Sequence, residues 1–192
     1  LLGPEQHGFM VSVGFDLYCR MVDEVVQELQ GKAPERRPEP AISSDLPAFI
    51  PGEYISDPDE KLDAYRRLAA VTEAAELAEI AAEFRDRFGP PPPEAEHLFE
   101  LKRLRLEGRD VGATRLRVGK DRLEVDLAEP LKREQIVRLV ASTPARIEFV
   151  GGGSGSFRVR SPVEPISMAT NLLRVLGGSD TVSGLPLPAA GS

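Results

Sequence analysis

The feature that most constrains this chain is a change of apolar period near residue 110. Upstream of it, apolar side chains recur at three- and four-residue spacing, as a helix with one buried face requires. Leu62, Tyr65, Leu68 and Ala69 make one such stripe, Leu77, Ile80, Phe84 and Phe88 a second, and Ala95, Leu98, Leu101 and Leu104 a third. Downstream, Leu116 and Val118 alternate with polar residues, Gly119-Lys120-Asp121 offers a turn, and Leu123, Val125 and Leu127 alternate again. That second pattern is a β-hairpin. Helices first, then hairpins mixed with helices, define an α+β class.

Start and stop signals give these elements their bounds. Asp57 can cap a helix, Pro58 suits its first turn, and Glu60 stands where a capping box needs it. A second helix is expected from Glu73 to Phe88, capped by Thr72 and stopped by Gly89 and Pro90 to Pro93. A third begins within those prolines and runs to about Glu107. Leu131 to Ser142 reads as a further helix with Leu131, Ile136, Leu139 and Val140 inward. Arg146 to Val150 and Phe157 to Arg160 read as a second hairpin across Gly151 to Gly155, and Pro165 to Leu176 as a last helix. The expectation is a compact domain over 57–176 with about five helices and two β-hairpins.

The flanks differ. Phe15 to Gln30 carries Tyr18, Met21, Val22, Val25, Val26 and Leu29 at helical spacing, with Gly31 as its stop. That helix, in 1–31, reads as the tail of another unit, and the start at Leu1 rather than Met fits a piece of something longer. Residues 32–56 hold Pro34, Pro38, Pro40, Pro47 and Pro51 and read as a linker, with short extended pieces at Ala41 to Ser43 and Ala48 to Ile50. Residues 177–192 are Gly-, Ser- and Pro-rich without periodicity, and disorder is expected there.

Charge narrows the partners. The net charge is −7, but it is unevenly spread: 57–107 holds 13 acidic and 8 basic side chains, whereas 109–160 holds 7 acidic and 11 basic. An acidic chain is a poor stand-alone binder of nucleic acid, whose affinity comes from phosphate neutralisation. One cysteine, Cys19, excludes an internal disulfide framework and a Cys-rich zinc site, and His7 and His97 lie 90 residues apart, so a metal site would need help from carboxylates. No apolar run is long enough for a membrane span and no signal segment opens the chain, so a cytoplasmic setting is expected.

Catalytic chemistry finds no footing. Val118-Gly119-Lys120-Asp121 lacks the spacing of a phosphate loop and the hydroxyl residue after Lys. Cys19 sits in an amphipathic stretch with no histidine near it in sequence, as a packing residue would. One surface pattern stands out. Glu76, Glu79, Glu83 and Asp86 fall within about 80° of arc on the second helix, opposite its apolar stripe. A solvated face is the plain reading of such a stripe, and a docking surface for a basic partner the functional one.

Two motif groups bring in a family. Leu2-Gly3-Pro4-Glu5-Gln6-His7-Gly8 followed by Val13-Gly14-Phe15-Asp16-Leu17-Tyr18 resembles the end of the second motor domain of bacterial transcription-repair coupling factors. Further on, Phe49-Ile50-Pro51, the Asp57–Ala70 stretch with Leu62, Tyr65 and Arg67, and Glu83-Phe84-Arg85-Asp86-Arg87-Phe88-Gly89 resemble that family's terminal domain. The resemblance covers about residues 1–176. It implies a translocation motif with Gln6 as its glutamine; His7 departs from the family's serine and inherits no role.

The resemblance also implies a function. The full-length proteins are ATP- and Mg-dependent DNA translocases that displace stalled RNA polymerase and recruit UvrA to start nucleotide excision repair. No cofactor is implied for this segment itself. The terminal domain is implied to be a non-catalytic autoinhibitory clamp on the UvrB-like N-terminal module, masking its UvrA-binding surface. The acidic residues that face arginines of that module fall on Glu83 and Asp86, within the stripe already identified, with Glu76 and Glu79 in support. The alternative is a DNA-binding accessory segment of a RecG-like translocase, using Gln6 with Arg115, Arg117, Arg122, Arg158 and Arg160.

Overall fold

The computed structural model describes residues 38–143, 145–150, 155–160 and 162–178. The Phe15–Gln30 helix, Gln6, most of the Gly151–Gly155 turn and the tail beyond 178 lie outside them. Element order is β1 (Ala41–Ser44), α1 (Pro58–Ala70), α2 (Ala74–Phe88), α3 (Pro93–Asp110), β2 (Ala113–Val118), β3 (Arg122–Leu127), α4 (Arg133–Ser142), β4 (Ile147–Val150), β5 (Ser156–Arg160) and α5 (Pro165–Gly177).

The strands form one mixed sheet in the order β1-β2-β3-β5-β4, not two separate hairpins. β1 runs parallel to β2, with Ile42 beside Leu116, and the remaining pairs are antiparallel. Alternation sorts the side chains by face. Leu116, Val118, Leu123, Val125, Phe157 and Val159 point inward and are fully buried under α3, α4 and α5.

α3 is the axis of the domain. Leu101 and Leu104 face the sheet-side core, while Leu98, Phe99 and Leu106 face a second core shared with α1 and α2. A helix buried on two sides needs apolar residues around most of its girth, which explains why its inner stripe underdescribes it. Even Lys102 and Arg105 are buried, near Glu39 at 3.8 and 4.0 Å, and Lys102 Nζ donates to the Ala69 carbonyl at 3.3 Å. α3 also comes close to the sheet at Gly108, where a Cβ would lie 2.9 Å from Pro40 and 3.0 Å from Leu116.

Several expectations change. The described part of the segment read as a linker is built into the fold: β1 completes the sheet, and Ile42, Ile50 and Ile55 are buried. Tyr65 Oη accepts from the Ile50 amide at 2.8 Å and Tyr54 Oη donates to the Gly89 carbonyl at 3.0 Å, which anchors the stretch before α1. Its prolines flank β1 rather than enter it, so none removes a donor from the sheet ladder. Asp57 caps α1 as expected, accepting from the Asp59 and Glu60 amides, but the Glu60 carboxylate reaches Arg87 of α2. At the start of α2 the Thr72 amide donates to Glu76 Oε2 at 3.0 Å, so Thr72 is donor rather than cap. In α4 Leu139 is buried but Val140 is 56% exposed, because about 100° of helix rotation carries it off the narrow face that packs.

Candidate functional site

The acidic stripe belongs to α2, whose alanine-rich sequence favours a helix and whose Leu77 and Phe84 anchor it in the second core. Phe84 meets Phe88 and Phe99 edge-to-face at centroid separations of 5.6 Å. That cluster fixes the rotation of α2 and therefore which residues turn outward. Glu76, Glu79 and Asp86 are exposed, and Glu83 is half-buried.

The four carboxylates are not equivalent. Glu83 is gripped by Arg67 of α1 in a two-pronged contact, Nη1 to Oε1 at 2.8 Å and Nη2 to Oε2 at 2.5 Å. Arg87, one turn on, adds a third bond at 3.2 Å and reaches Glu60 of α1 at 3.1 Å. The Arg67 hydrogen bond, reinforced by Arg87, holds the Glu83 carboxyl far below the usual carboxylate range, at about 2, against the opposing effect of desolvation. Fork-on-fork pairing of this kind fixes geometry as well as charge. Arg67 lies 5.8 Å from the centroid of the Phe84 ring and Arg87 4.8 Å from that of Phe88, so the guanidinium groups also rest on aromatic faces. Glu83 is thus spent on holding α1 to α2.

Glu76 is partly engaged by the Thr72 amide. Glu79 and Asp86 have no hydrogen-bond or ion-pair partner among the described residues, and they flank Glu83 on the outer surface. Between α1 and α2 lies a groove of about 260 Å³ lined by Asp59, Glu60, Asp63, Arg67, Phe84 and Arg87, among others. The acidic surface therefore continues from α2 onto α1.

Cations of α3 support this layer from behind. Arg109 Nη1 donates to the Thr72 carbonyl at 2.8 Å, and Lys102 reaches Ala69, so both engage backbone carbonyls at the end of α1. A charge count along α2 alone misses all of this, because Arg67 arrives from another helix. Its signal in the sequence was Arg67 within the α1 stretch that carries the family resemblance.

Two polar features singled out in the sequence are structural. Gly119 and Arg122 exchange backbone hydrogen bonds across the β2–β3 turn, so the glycine-lysine segment is a hairpin turn. His97 Nδ1 lies 3.0 Å from the Pro47 carbonyl and ties the early loop to α3. Among the described residues no group of three or more His, Cys, Asp or Glu side chains is placed to hold a metal ion, and no helix is long and apolar enough to cross a membrane. The arginines of the alternative reading, Arg115, Arg117, Arg122, Arg158 and Arg160, lie at outward positions of the sheet, on the far side of α3 from α2.

Sequence comparisons agree on one family, and a structural comparison agrees on the fold. The TRCF domain family model matches residues 44–136. A transcription-repair-coupling factor of Myxococcus xanthus is 39% identical over 127 residues, covering 66% of this chain and 11% of that protein. One of Bacillus subtilis (strain 168) is 37% identical over 135 residues, covering 70% and 12%. The chain therefore spans about a tenth of the length of these relatives. The fold is similar to a crystal structure of the C-terminal domain of a transcription-repair coupling factor, with TM-score 0.60 at 17% identity over 73% of this chain and 92% of that one.

Proposed function

We propose that this chain, which matches the TRCF domain family model over residues 44–136 and transcription-repair-coupling factors in sequence, acts as a non-catalytic, autoinhibitory clamp. In this reading the outer face of α2 docks on a basic surface of the UvrB-like N-terminal module of the same protein and masks its UvrA-binding surface. Polymerase engagement by the parent protein, a cytoplasmic ATP- and Mg-dependent translocase on double-stranded DNA, releases the clamp. Residues 1–31, with Gln6 in the translocation motif, would join the domain to that motor.

The observation that carries the proposal is the division of labour on α2. Glu83 locks the helix in place through Arg67, which leaves Glu79 and Asp86, with Glu76 beside them, presented outward on a rigid support. A preformed acidic face orients and accelerates encounter with a basic partner. Each exposed pair is worth only ~0–1 kcal/mol, so several must act together.

The test is titration of the purified chain with the separately expressed UvrB-like module at low and moderate salt. Binding should weaken with salt and fall about tenfold or more when Glu79→Arg and Asp86→Arg are combined, since two attractions become repulsions. Glu83→Arg is a poorer probe, because it also breaks the α1–α2 lock. Binding that is unchanged in the Glu79/Asp86 reversal sinks the proposal.

A further inference from the structure

The outward face of the sheet carries a second charged surface, of opposite sign. Strand register places Arg117, Glu124, Arg158 and Glu148 in one cross-strand row, and Arg122 directly opposite Arg160 in the next. Glu124 is shared by three arginines: Arg122 at 3.3 Å and Arg117 and Arg158 at 3.7 Å each. One carboxylate cannot neutralise three guanidinium groups. Arg158 Nε is buried yet makes no hydrogen bond among the described residues. Arg160 pairs with Glu148 at 3.1 Å, and Arg115 reaches Asp126 at 3.9 Å. The face thus holds five arginines against three carboxylates, a local surplus of cations in a chain whose net charge is −7. Like charges directly opposed across strands cost stability, and the Arg122–Arg160 pair accepts that cost in the open.

We propose that this face docks the phosphodiester backbone of nucleic acid, without reading its sequence. Two features favour a phosphate backbone over an acidic protein. First, the outward positions of the three central strands are charged or hydroxyl-bearing, with no aromatic or aliphatic anchor. A stable protein interface needs a buried apolar centre, whereas backbone binding to nucleic acid runs on charge contacts alone. Second, the cations are all arginine, whose planar fork bridges phosphate oxygens as lysine cannot. The interleaved glutamates hold the surplus down and make the binding weak and strongly salt-dependent. Asp45 and Asp121 at the β2–β3 turn end of the sheet, around a cavity of about 380 Å³ that also includes Arg117 and Arg122, keep the docking track on the strands.

The experiment is fluorescence anisotropy of a labelled 20-base-pair duplex of arbitrary sequence, titrated with the full chain over a range of salt. The wild type should bind at low salt with a steep dependence of log K on log salt. Arg122→Ala with Arg160→Ala should lower affinity about tenfold and flatten that slope by about 2. These substitutions relieve a like-charge pair and remove only exposed ion pairs to Glu124 and Glu148, which contribute little to stability, so the fold should be kept, which circular dichroism checks. Arg66→Ala with Arg85→Ala removes the same charge from exposed positions on α1 and α2 and should leave affinity within about twofold. Absence of binding at low salt, or equal loss in both double variants, overturns the proposal. So does binding of a poly-glutamate peptide in preference to the duplex, which would assign the face to an acidic protein.

Discussion

The helical layer and the sheet face both display arginine–carboxylate pairs, yet they leave opposite residues over. Between α1 and α2 the pairing is tight: two arginines, Arg67 and Arg87, meet two glutamates, Glu83 and Glu60, at 2.5–3.2 Å. What remains on the outer face of α2 is acidic, Glu79 and Asp86, and across α1 and α2 the carboxylates outside that network outnumber the cations. On the sheet three arginines crowd one glutamate at 3.3–3.7 Å, and what remains is basic. The sign of a surface is set by which charges the fold has already spent, not by the local composition of an element.

The two layers share α3, and that sharing can be broken by mutation. Phe84→Ala empties the centre of the α1–α2–α3 core, where Phe84 is 1% exposed, and should cost ~3–5 kcal/mol in denaturant unfolding. If α3 couples the layers, hydrogen exchange should quicken in β2 and β3 as well as in α1 and α2. Sheet amides that keep wild-type protection would make the layers independent. Gly108→Ala tests the contact from the other side. A helix interior gains ~1 kcal/mol from alanine, but the new methyl meets Pro40 and buried Leu116. Overpacking costs typically ~1–3 kcal/mol, so a net loss of about 1 kcal/mol is expected, read as a lower unfolding midpoint.

Acid titration sharpens the comparison through two glutamates with opposite shifts. Glu83, held down to about 2 by Arg67 and Arg87, stabilises the fold above the ordinary carboxylate range. Its contribution is lost as pH falls towards 2. Glu83→Gln should therefore lower the Tm at pH 7, with the difference from wild type closing as pH falls towards 2. Glu107, on the α3–α5 seam, is raised above its ordinary value because burial disfavours its charge, despite Arg174 at 3.5 Å. Its neutral form is the one folding favours, so the penalty appears as pH rises through its folded pKa. Glu107→Gln should leave the pH 7 Tm unchanged or slightly higher, the smallest effect of the set, and equal to wild type in acid. Carboxyl NMR titration should place the Glu83 midpoint well below that of Glu107.

Much of this architecture was legible in sequence because it depends on local rules. Period, caps and glycine stops located the five described helices and the paired strands to within a few residues, since each signal acts within one or two turns of itself. β1 was legible only as a short extended piece at Ala41 to Ser43 within a linker, not as a strand of the sheet, because its partner Leu116 lies more than seventy residues from Ile42. Three isoleucines, Ile42, Ile50 and Ile55, were the available clue: a solvated linker has no use for them. The acidic stripe was legible as a pattern but not as a set of roles. Helical spacing puts Glu83 beside Glu79 and Asp86, and only the packing of α1 on α2 brings Arg67 to Glu83 and separates the lock from the docking face.

The measurement that tests this division most directly is paired: Tm and affinity for the UvrB-like module, both taken for Glu79→Arg/Asp86→Arg and for Glu83→Gln. The account predicts that the first variant keeps the wild-type Tm and loses about tenfold or more in affinity, while the second loses Tm. A Glu79/Asp86 variant that binds the module as tightly as wild type, at a salt where wild-type binding is strong, would contradict it.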